Sequence, residues 1–275
     1  MTQPLLKGYL DTQFSKVIKV AKFTVLFKAK PQILMDLKEL ESGVNPEVHW
    51  YYQSKMKPLF TYTAQVLTKV PQLTIVDVGS GSGFFAISLE KKFSSQIKKV
   101  YLVDINYTPE EIAETKGAKI EKTLRIPEKI ENGLVILMDV LEHLEDDLKM
   151  LNEIKANCQG ENNSFFITVP AFKSLWSGHD DYLGHYRRYK IATLSAVLNK
   201  AGYTIKNSFY LYGSLFPMVW VVRKLSNLSK KEATSNMRPF SPFTNSLLLG
   251  ITSAEMKISR ANKVFGISCV AEGKI

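Results

Sequence analysis

Four groups of residues in this chain have the types and the spacing to do chemistry. The first is Asp77-Val-Gly79-Ser80-Gly81-Ser-Gly83. Alternate glycines let a backbone turn tightly and come close to a ligand. A dinucleotide-pyrophosphate turn needs G-x-G-x-x-G, but the register here is G-x-G-x-G, with Phe84 where the third glycine belongs. Asp77 places a carboxylate just ahead of the turn, which repels a pyrophosphate and suits a cationic ligand group. The second group is Asp104, 21 residues after Gly83, whose carboxylate can accept both hydrogen bonds of a ribose diol. The third is Asp139-Val-Leu-Glu142-His143. Carboxylates and an imidazole suit a metal, but they serve equally as hydrogen-bonding anchors for neighbouring loops, or in His143 as a general base. The reading taken here is the anchor or base, with no metal assigned.

The fourth group is the run 170–189, where Trp176, His179, Asp180, His185, Arg187 and Arg188 stand among further aromatics. His179 and Asp180 have the types of a base and its orienter for removing an acceptor proton. Arg187 or Arg188 can take a phosphate or carboxylate through two parallel hydrogen bonds. A scaffold reading uses the same residues, with the arginines locking the loop through internal salt bridges and Asp180 capping a turn.

Regular elements have to place these groups. The β-branched run 75–78 reads as a buried strand, and 84–93 has the apolar spacing of a helix. Residues 98–103 read as a second strand ending at Asp104, and 119–124 as a short third one. The wholly apolar run 134–138 fits a central parallel strand. A fifth strand is expected at 164–169, with 170–189 leaving it as a loop. A helix at 191–201 stops at Gly202, and strands follow at 203–211 and 266–272. Between those last two lie an apolar segment around Pro217, a polar mobile loop at 226–242 and a helix at 243–263. The apolar run 209–222 is too short to span a membrane; it can cover a substrate as a lid or dip into a membrane interface. Upstream, 31–72 reads as helical, with punctuation at Gly43, Pro46, Pro58 and Pro71. Within it sit His49, Trp50, Tyr51 and Tyr52, whose rings can exclude water and hold a cation against their faces. Ligands bind at the carboxyl ends of parallel strands, so Met138, Asp139 and His143 are expected to face one.

Composition sets outer bounds. With 275 residues, 45% hydrophobic and 23% charged, the chain suits one large α/β domain. Residues 1–70 are expected to form a basic helix and helical cap, and 71–275 the ligand-binding body with a lid at 212–263. Two cysteines, Cys158 and Cys269, do not make a disulfide scaffold and fit a reducing cytosol. The net charge of +10 favours anionic partners. Residues 1–30 carry six lysines against one acid, with Phe14, Ile18, Ala21 and Val25 at helical spacing. They read as a basic surface helix packed on the core, or as an anchor at a membrane surface; no apolar run reaches the length of a secretory signal.

Three motifs carry a family resemblance. Asp77 to Gly83 resembles the first motif of class I S-adenosylmethionine-dependent methyltransferases. D-V-L-E-H at 139–143 resembles the same segment of small-molecule methyltransferases, including quinone-biosynthesis O-methyltransferases. V-P-A…L-W-S-G-H-D…L-G-H-Y-R-R-Y at 169–189 is similar to a bacterial branch of these enzymes. The resemblance implies a Rossmann-like fold: a seven-stranded, mostly parallel sheet in the order 3-2-1-4-5-7-6, an N-terminal helical cap and a helical insertion before the last strand. It implies S-adenosylmethionine as cofactor. Asp77, Gly79, Ser80, Gly81, Gly83 and Phe84 would lie along its methionine part, Asp104 and Ile105 at its ribose, and Met138 and Asp139 at the end of strand four. Trp50 and Tyr51 would cover the methionine end. Where many members carry an acid for the adenine, this chain has Lys122 and Thr123, a departure that leaves adenine recognition open.

The expected acceptor is a small molecule methylated on oxygen or nitrogen, anionic, amphiphilic or lipid-linked. Tyr52, Trp176, His185, Arg187 and Arg188 would bind it, and His143, His179 and Asp180 would act as the catalytic groups. A specific nucleic acid is not expected, because strand four ends in Met138-Asp139-Val-Leu rather than an N-P-P-F/Y-like motif. Neither is an obligate protein partner. The expected location is cytoplasmic, with peripheral membrane contact through 10–30 or 209–222. Two other readings stay open: a protein that keeps the fold and the cofactor without catalysis, and an NAD(P)-dependent oxidoreductase, against which Phe84 and Asp77 count.

Overall fold

The structure is a computed structural model that describes residues 44–228 and 239–275. The expectations for the basic helix at 1–30, the start of the cap and most of the polar loop at 226–242 lie outside the described residues. Seven strands form one sheet in the order β3-β2-β1-β4-β5-β7-β6. They are β1 Leu73–Val78, β2 Ile97–Val103, β3 Ile120–Thr123, β4 Gly133–Met138, β5 Ser164–Pro170, β6 Thr204–Leu211 and β7 Ser268–Lys274. β1 pairs parallel with β2 and β4, β2 with β3, and β4 with β5, whereas β7 runs antiparallel between β5 and β6. The expected fold and strand order are both found. β4 is buried at every position, because helices cover both faces of a central parallel strand.

The helices are α1 Trp50–Leu67, α2 Phe84–Lys92, α3 Pro109–Thr115, α4 Asp147–Asn157, α5 Gly178–Leu183, α6 Ile191–Lys200, α7 Phe216–Leu228 and α8 Pro242–Met256. Three sequence expectations change. Pro58 does not punctuate a helix but lies inside α1. The run after β5 is no plain loop: it holds a 3-10 turn at Lys173–Leu175 and then α5, opened by a Ser177/Asp180 capping box and closed by Gly184 at φ 73°. The helix expected to reach 263 stops at Met256, with a 3-10 turn at Ser259–Ala261 beyond it. The apolar segment around Pro217 is the helix α7. No helix among the described residues is long and apolar enough to cross a membrane.

Three features bring the site together. The β1–α2 turn lies at the carboxyl ends of the parallel strands. α1 packs on α8, so the aromatic start of α1 hangs over the same edge. The chain leaving β5 returns to it through a bridge between Ala171 and Tyr189, which folds the polar run 172–188 back over the end of β4.

Candidate active site

The glycine turn is rigid before any ligand is considered. Gly79 has φ 71°, and a Cβ there would lie 2.7 Å from Val140 Cγ2; Gly83 has φ 75°, and its Cβ would lie 2.7 Å from Leu102 Cδ1. Only glycine fits either place. The N–H groups of Gly79 and Ser80 donate to the Val103 carbonyl at 2.8 and 3.2 Å, tying the turn to the end of β2. Asp104, buried there, accepts the Gly81 N–H at 3.0 Å through Oδ2 and the Asn106 backbone and side-chain N–H groups through Oδ1. Tyr107, which sequence reasoning missed, closes the turn: its hydroxyl bonds Ser80 Oγ at 2.9 Å and donates to the Gly81 carbonyl at 2.8 Å. Burial pushes its phenol up, so it stays neutral. Asp77 is buried near the end of β1, Met138 is buried at the end of β4, and Ile105 is half-buried beside Asp104. Lys122 pairs with Glu111 at 2.6 Å and lies 4.8 Å from the Tyr107 ring, and Thr123 donates to the Arg125 carbonyl.

Asp139 forms a second centre at the end of β4. It holds φ 60° without being glycine. Its Oδ2 takes the Tyr51 hydroxyl at 2.9 Å and the Lys55 ammonium, and its Oδ1 takes the Thr168 hydroxyl at 2.9 Å. Burial alone would raise the Asp139 carboxyl, but the Lys55 charge and these hydrogen bonds outweigh it and hold the group below its ordinary value. Lys55 is 1% exposed, a buried ammonium that also donates to the Tyr51 hydroxyl at 2.9 Å. Tyr51 stacks on Tyr212 with centroids 5.6 Å apart. The Trp50 ring meets both edge-on, and its backbone N–H donates to Asn245 of α8. Tyr52, expected at the acceptor, lies instead on the inner face of α1. It is 2% exposed and packs against Phe84 and Phe85, because successive helix positions point in different directions.

Asp180 organises a third centre. It is fully buried. Its Oδ1 accepts His185 Nδ1–H at 2.8 Å and Arg188 Nε at 2.6 Å. Its Oδ2 accepts the Ser177 N–H at 2.9 Å, Arg188 Nη2 at 3.1 Å and Arg223 Nη1 at 3.4 Å. Burial would raise this carboxyl too; the His185 hydrogen bond and the Arg188 charge hold it well below the carboxylate range. The imidazole that Asp180 orients is therefore that of His185. Arg188 also donates to the Ala171 carbonyl at 2.9 Å, and Arg187 pairs with Asp147 at 3.0 Å and donates to the Glu145 carbonyl at 2.6 Å. Of the two readings of the arginines, the scaffold one describes these contacts. Trp176 donates its indole N–H to Asp181 at 3.0 Å. Arg223 of α7 donates to the Leu175 carbonyl at 2.5 Å, and burial and Arg188 bring its guanidinium down to about 10.

His143 and His179 are neutral. Burial, with His185 beside it, brings His143 down to about 3; burial and the Arg223 charge bring His179 down to about 4. Glu142 goes the other way, its carboxyl held well above the usual range by burial and by Asp139. The metal-type set weighed from the sequence also changes membership. Asp139 is taken by Lys55, and His185 joins Glu142 and His143, the three offering ligand atoms within 4.8 Å of one another.

Sequence reasoning missed Lys55, Thr168, Tyr212, Arg223 and Asn245. Lys55 alone had a local signal, four residues after Tyr51 and so on the same helix face. The others reach the site only through sheet and helix packing.

With this geometry in place, the comparisons identify the class. The model of a family described as a methyltransferase domain matches residues 49–207. That span exceeds half of the chain and holds the glycine turn, Asp104, Asp139 and Asp180; the chain belongs to this family. Among solved structures, an uncharacterised protein from Burkholderia thailandensis superposes with a TM-score of 0.51 at 12% identity, covering 98% of this chain and 92% of that one. Its likeness shows the fold. A SAM-dependent methyltransferase from Archaeoglobus fulgidus matches with a TM-score of 0.48 at 15% identity, over 87% and 98% of the two chains. A methyltransferase solved with the Trm112 activator of Haloferax volcanii gives 0.49 at 15% identity, over 88% and 96%. No curated protein sequence matches the chain.

Proposed function

We propose that this protein transfers a methyl group from S-adenosylmethionine to an oxygen or nitrogen of a small acceptor by in-line displacement. The observation that carries the reading is the glycine cradle locked to Asp104. A side chain at Gly79 or Gly83 would strike Val140 or Leu102, so the turn keeps its bare backbone, and the carboxylate that closes it stands where a ribose diol needs an acceptor. These residues fit the cofactor that the family implies. S-adenosylmethionine, when bound, supplies an electrophilic methyl on a sulfonium sulfur.

The chain's own residues then bind, orient and exclude water. Asp104 takes the ribose. Trp50, Tyr51 and Tyr212 form an aromatic wall at the Asp139 centre, able to exclude water and face a cation. His143, His179 and Asp180 all have low proton affinity at neutral pH, so none is poised as a strong base. This favours an acceptor whose proton passes readily to water, with His179 accepting a hydrogen bond that orients it. Alignment then supplies most of the acceleration. The run 169–189 supports placement in the bacterial small-molecule branch. The exposed apolar side chains of α7 (Met218, Val221, Val222 and Leu225) stand beside the exposed Lys224 and support an amphiphilic or lipid-linked acceptor met at an anionic membrane surface, in a cytoplasmic protein.

A non-catalytic reading has one observation in its favour: Asp180, Arg187 and Arg188 are engaged in holding the loop rather than presented to a ligand. Membership of the methyltransferase family removes support from an oxidoreductase. The test is isothermal titration with S-adenosylmethionine, S-adenosylhomocysteine and NADH, on the wild type and on Asp104→Ala. Micromolar binding of the first two, lost in the variant, is expected. Binding of NADH alone would overturn the reading, and cofactor binding without turnover of any acceptor would favour the non-catalytic one.

A further inference from the structure

α7 is turned the unusual way round. A surface helix ordinarily buries its apolar stripe and exposes its charges. Here Met218, Val221, Val222 and Leu225 are exposed, while the Arg223 side chain is only 13% exposed. Phe216 and Val219 share its inner face: Phe216 meets Phe172 with ring centroids 5.5 Å apart, and Val219 packs on the core. The helix thus carries a cation into the molecule, and the contacts found there engage one nitrogen of it. Nη1 donates to the Leu175 carbonyl at 2.5 Å and to Asp180 Oδ2 at 3.4 Å. Nε and Nη2 have no partner among the described residues. Asp180 is already committed elsewhere. A carboxylate offers about four acceptor sites. His185 Nδ1 and Arg188 Nε meet Oδ1, and the Ser177 N–H and Arg188 Nη2 meet Oδ2. Arg223 comes last, at the longest distance of the set. One negative charge matched by the Arg188 fork leaves the second guanidinium to be answered, and a buried charge without a full partner is costly. The other group that favours its charge is the Tyr51 hydroxyl of the Asp139 centre. Arg223 is therefore within electrostatic reach of the aromatic wall as well as of the loop.

We propose that Arg223 is the anion-binding residue of the acceptor site, its Nε and Nη2 receiving two oxygens of a phosphate or carboxylate group on the molecule to be methylated. The inference rests on the methyltransferase reading above and narrows it to an anionic acceptor. Nε and Nη2 form one edge of the guanidinium, the same edge that Arg188 turns on Asp180, and that edge matches two oxyanion oxygens in parallel. Leu175 and Asp180 hold Nη1, so the fork is oriented before the acceptor arrives, and less order has to be imposed on binding. Arg187 and Arg188 cannot take this role, since Asp147 and Asp180 occupy them. His179 feels the Arg223 charge and is neutral beside it, so it adds no second cation and can hydrogen-bond a neighbouring atom of the same ligand.

The test titrates the purified full chain, saturated with S-adenosylhomocysteine, with phenyl phosphate and with benzoate, and with neutral benzyl alcohol as the control. Expected is saturable binding of at least one of the two anions, together with a shift of the Arg223 Nε–H resonance. Arg223→Gln should weaken that binding by at least about tenfold. Arg223→Lys keeps the charge and loses the fork, so it should recover only part of it. Lys224→Gln, which removes a charge from the outer side of the same helix, should leave it unchanged. Benzyl alcohol should not distinguish the wild type from Arg223→Gln. Circular dichroism and S-adenosylhomocysteine binding check that the variants fold. Should Arg223→Gln unfold, the wild type decides alone, and anion binding that leaves the Arg223 resonance unmoved would overturn the proposal. So would the lack of saturable binding by either anion, or equal affinity in the wild type and Arg223→Gln. Binding of S-adenosylhomocysteine without either anion would overturn the role of Arg223 and leave the methyltransferase reading standing. An anion held at Arg223 in a chain that binds no S-adenosylhomocysteine would overturn that reading and the acceptor role with it.

Discussion

The two sides of the site are built on different terms. The glycine turn draws its parts from residues 77–107, a single β-α-β unit, and its fixed geometry comes from backbone hydrogen bonds and from side chains that are absent. The Asp139 and Asp180 centres draw theirs from α1, β4, β5, the chain after β5, and α7, and hold them with charge. The first side tolerates no added bulk and the second no lost partner. A ligand cradle can be made locally, but a buried network of charges has to be assembled from afar, with every buried charge answered.

The comparison breaks most visibly at Asp180. Replacing it with alanine leaves the Arg188 and Arg223 guanidinium groups without their shared carboxylate, and breaking a buried ion pair from one side costs about 3–5 kcal/mol. Urea unfolding of Asp180→Ala should show that loss; a change below about 1 kcal/mol would mean the charges are answered by water instead. On the other side, Gly79→Ala puts a Cβ against Val140 at positive φ, a strain worth about 1–3 kcal/mol. Titration should find its S-adenosylhomocysteine binding weakened more than its stability alone would explain.

A pH series sharpens the charged side. His179 sits at about 4 in the folded chain, against about 6.5 when unfolded. The unfolded state therefore takes up its proton first as pH falls. Stability is lost from about pH 6.5 down to about 4, at roughly 1.4 kcal/mol per pH unit, and levels off below that. In His179→Gln the slope across that window should be smaller by one proton; equal slopes would show that the imidazole is solvated. The depressed carboxyls Asp139 and Asp180 act lower: their contribution is complete above their unfolded value near 3.9 and is lost only below it. The smallest effect belongs to the exposed edge of the cradle. Lys122→Ala removes a partly exposed pair with Glu111 and should cost at most about 1 kcal/mol, with cofactor affinity almost unchanged in the same titration.

What could be read from the sequence follows the same division. The strands, the turn and Asp104 were readable because their causes lie within a few residues: apolar runs, alternate glycines, an acid at a strand end; the strand order came only with the family resemblance. Asp180 was noticed for its type and given a different partner, since nothing in the order of residues 179–188 says that His185 and Arg188 would reach it rather than His179. Lys55 looked like one lysine among many; its burial depends on Asp139, 84 residues away. Tyr52 was misplaced for a smaller reason, since a one-residue step around a helix exchanges an inner wall for an outer one.

Asp139 has a consequence for how this position can vary in evolution. Its left-handed backbone confines it to Asp, Asn and Gly at little strain, while the Lys55 ammonium asks for a negative charge. Among natural residues only aspartate meets both demands, and asparagine meets the first alone. A lineage that drifts to asparagine here should keep its fold and come under pressure at residue 55, so the two positions should change together.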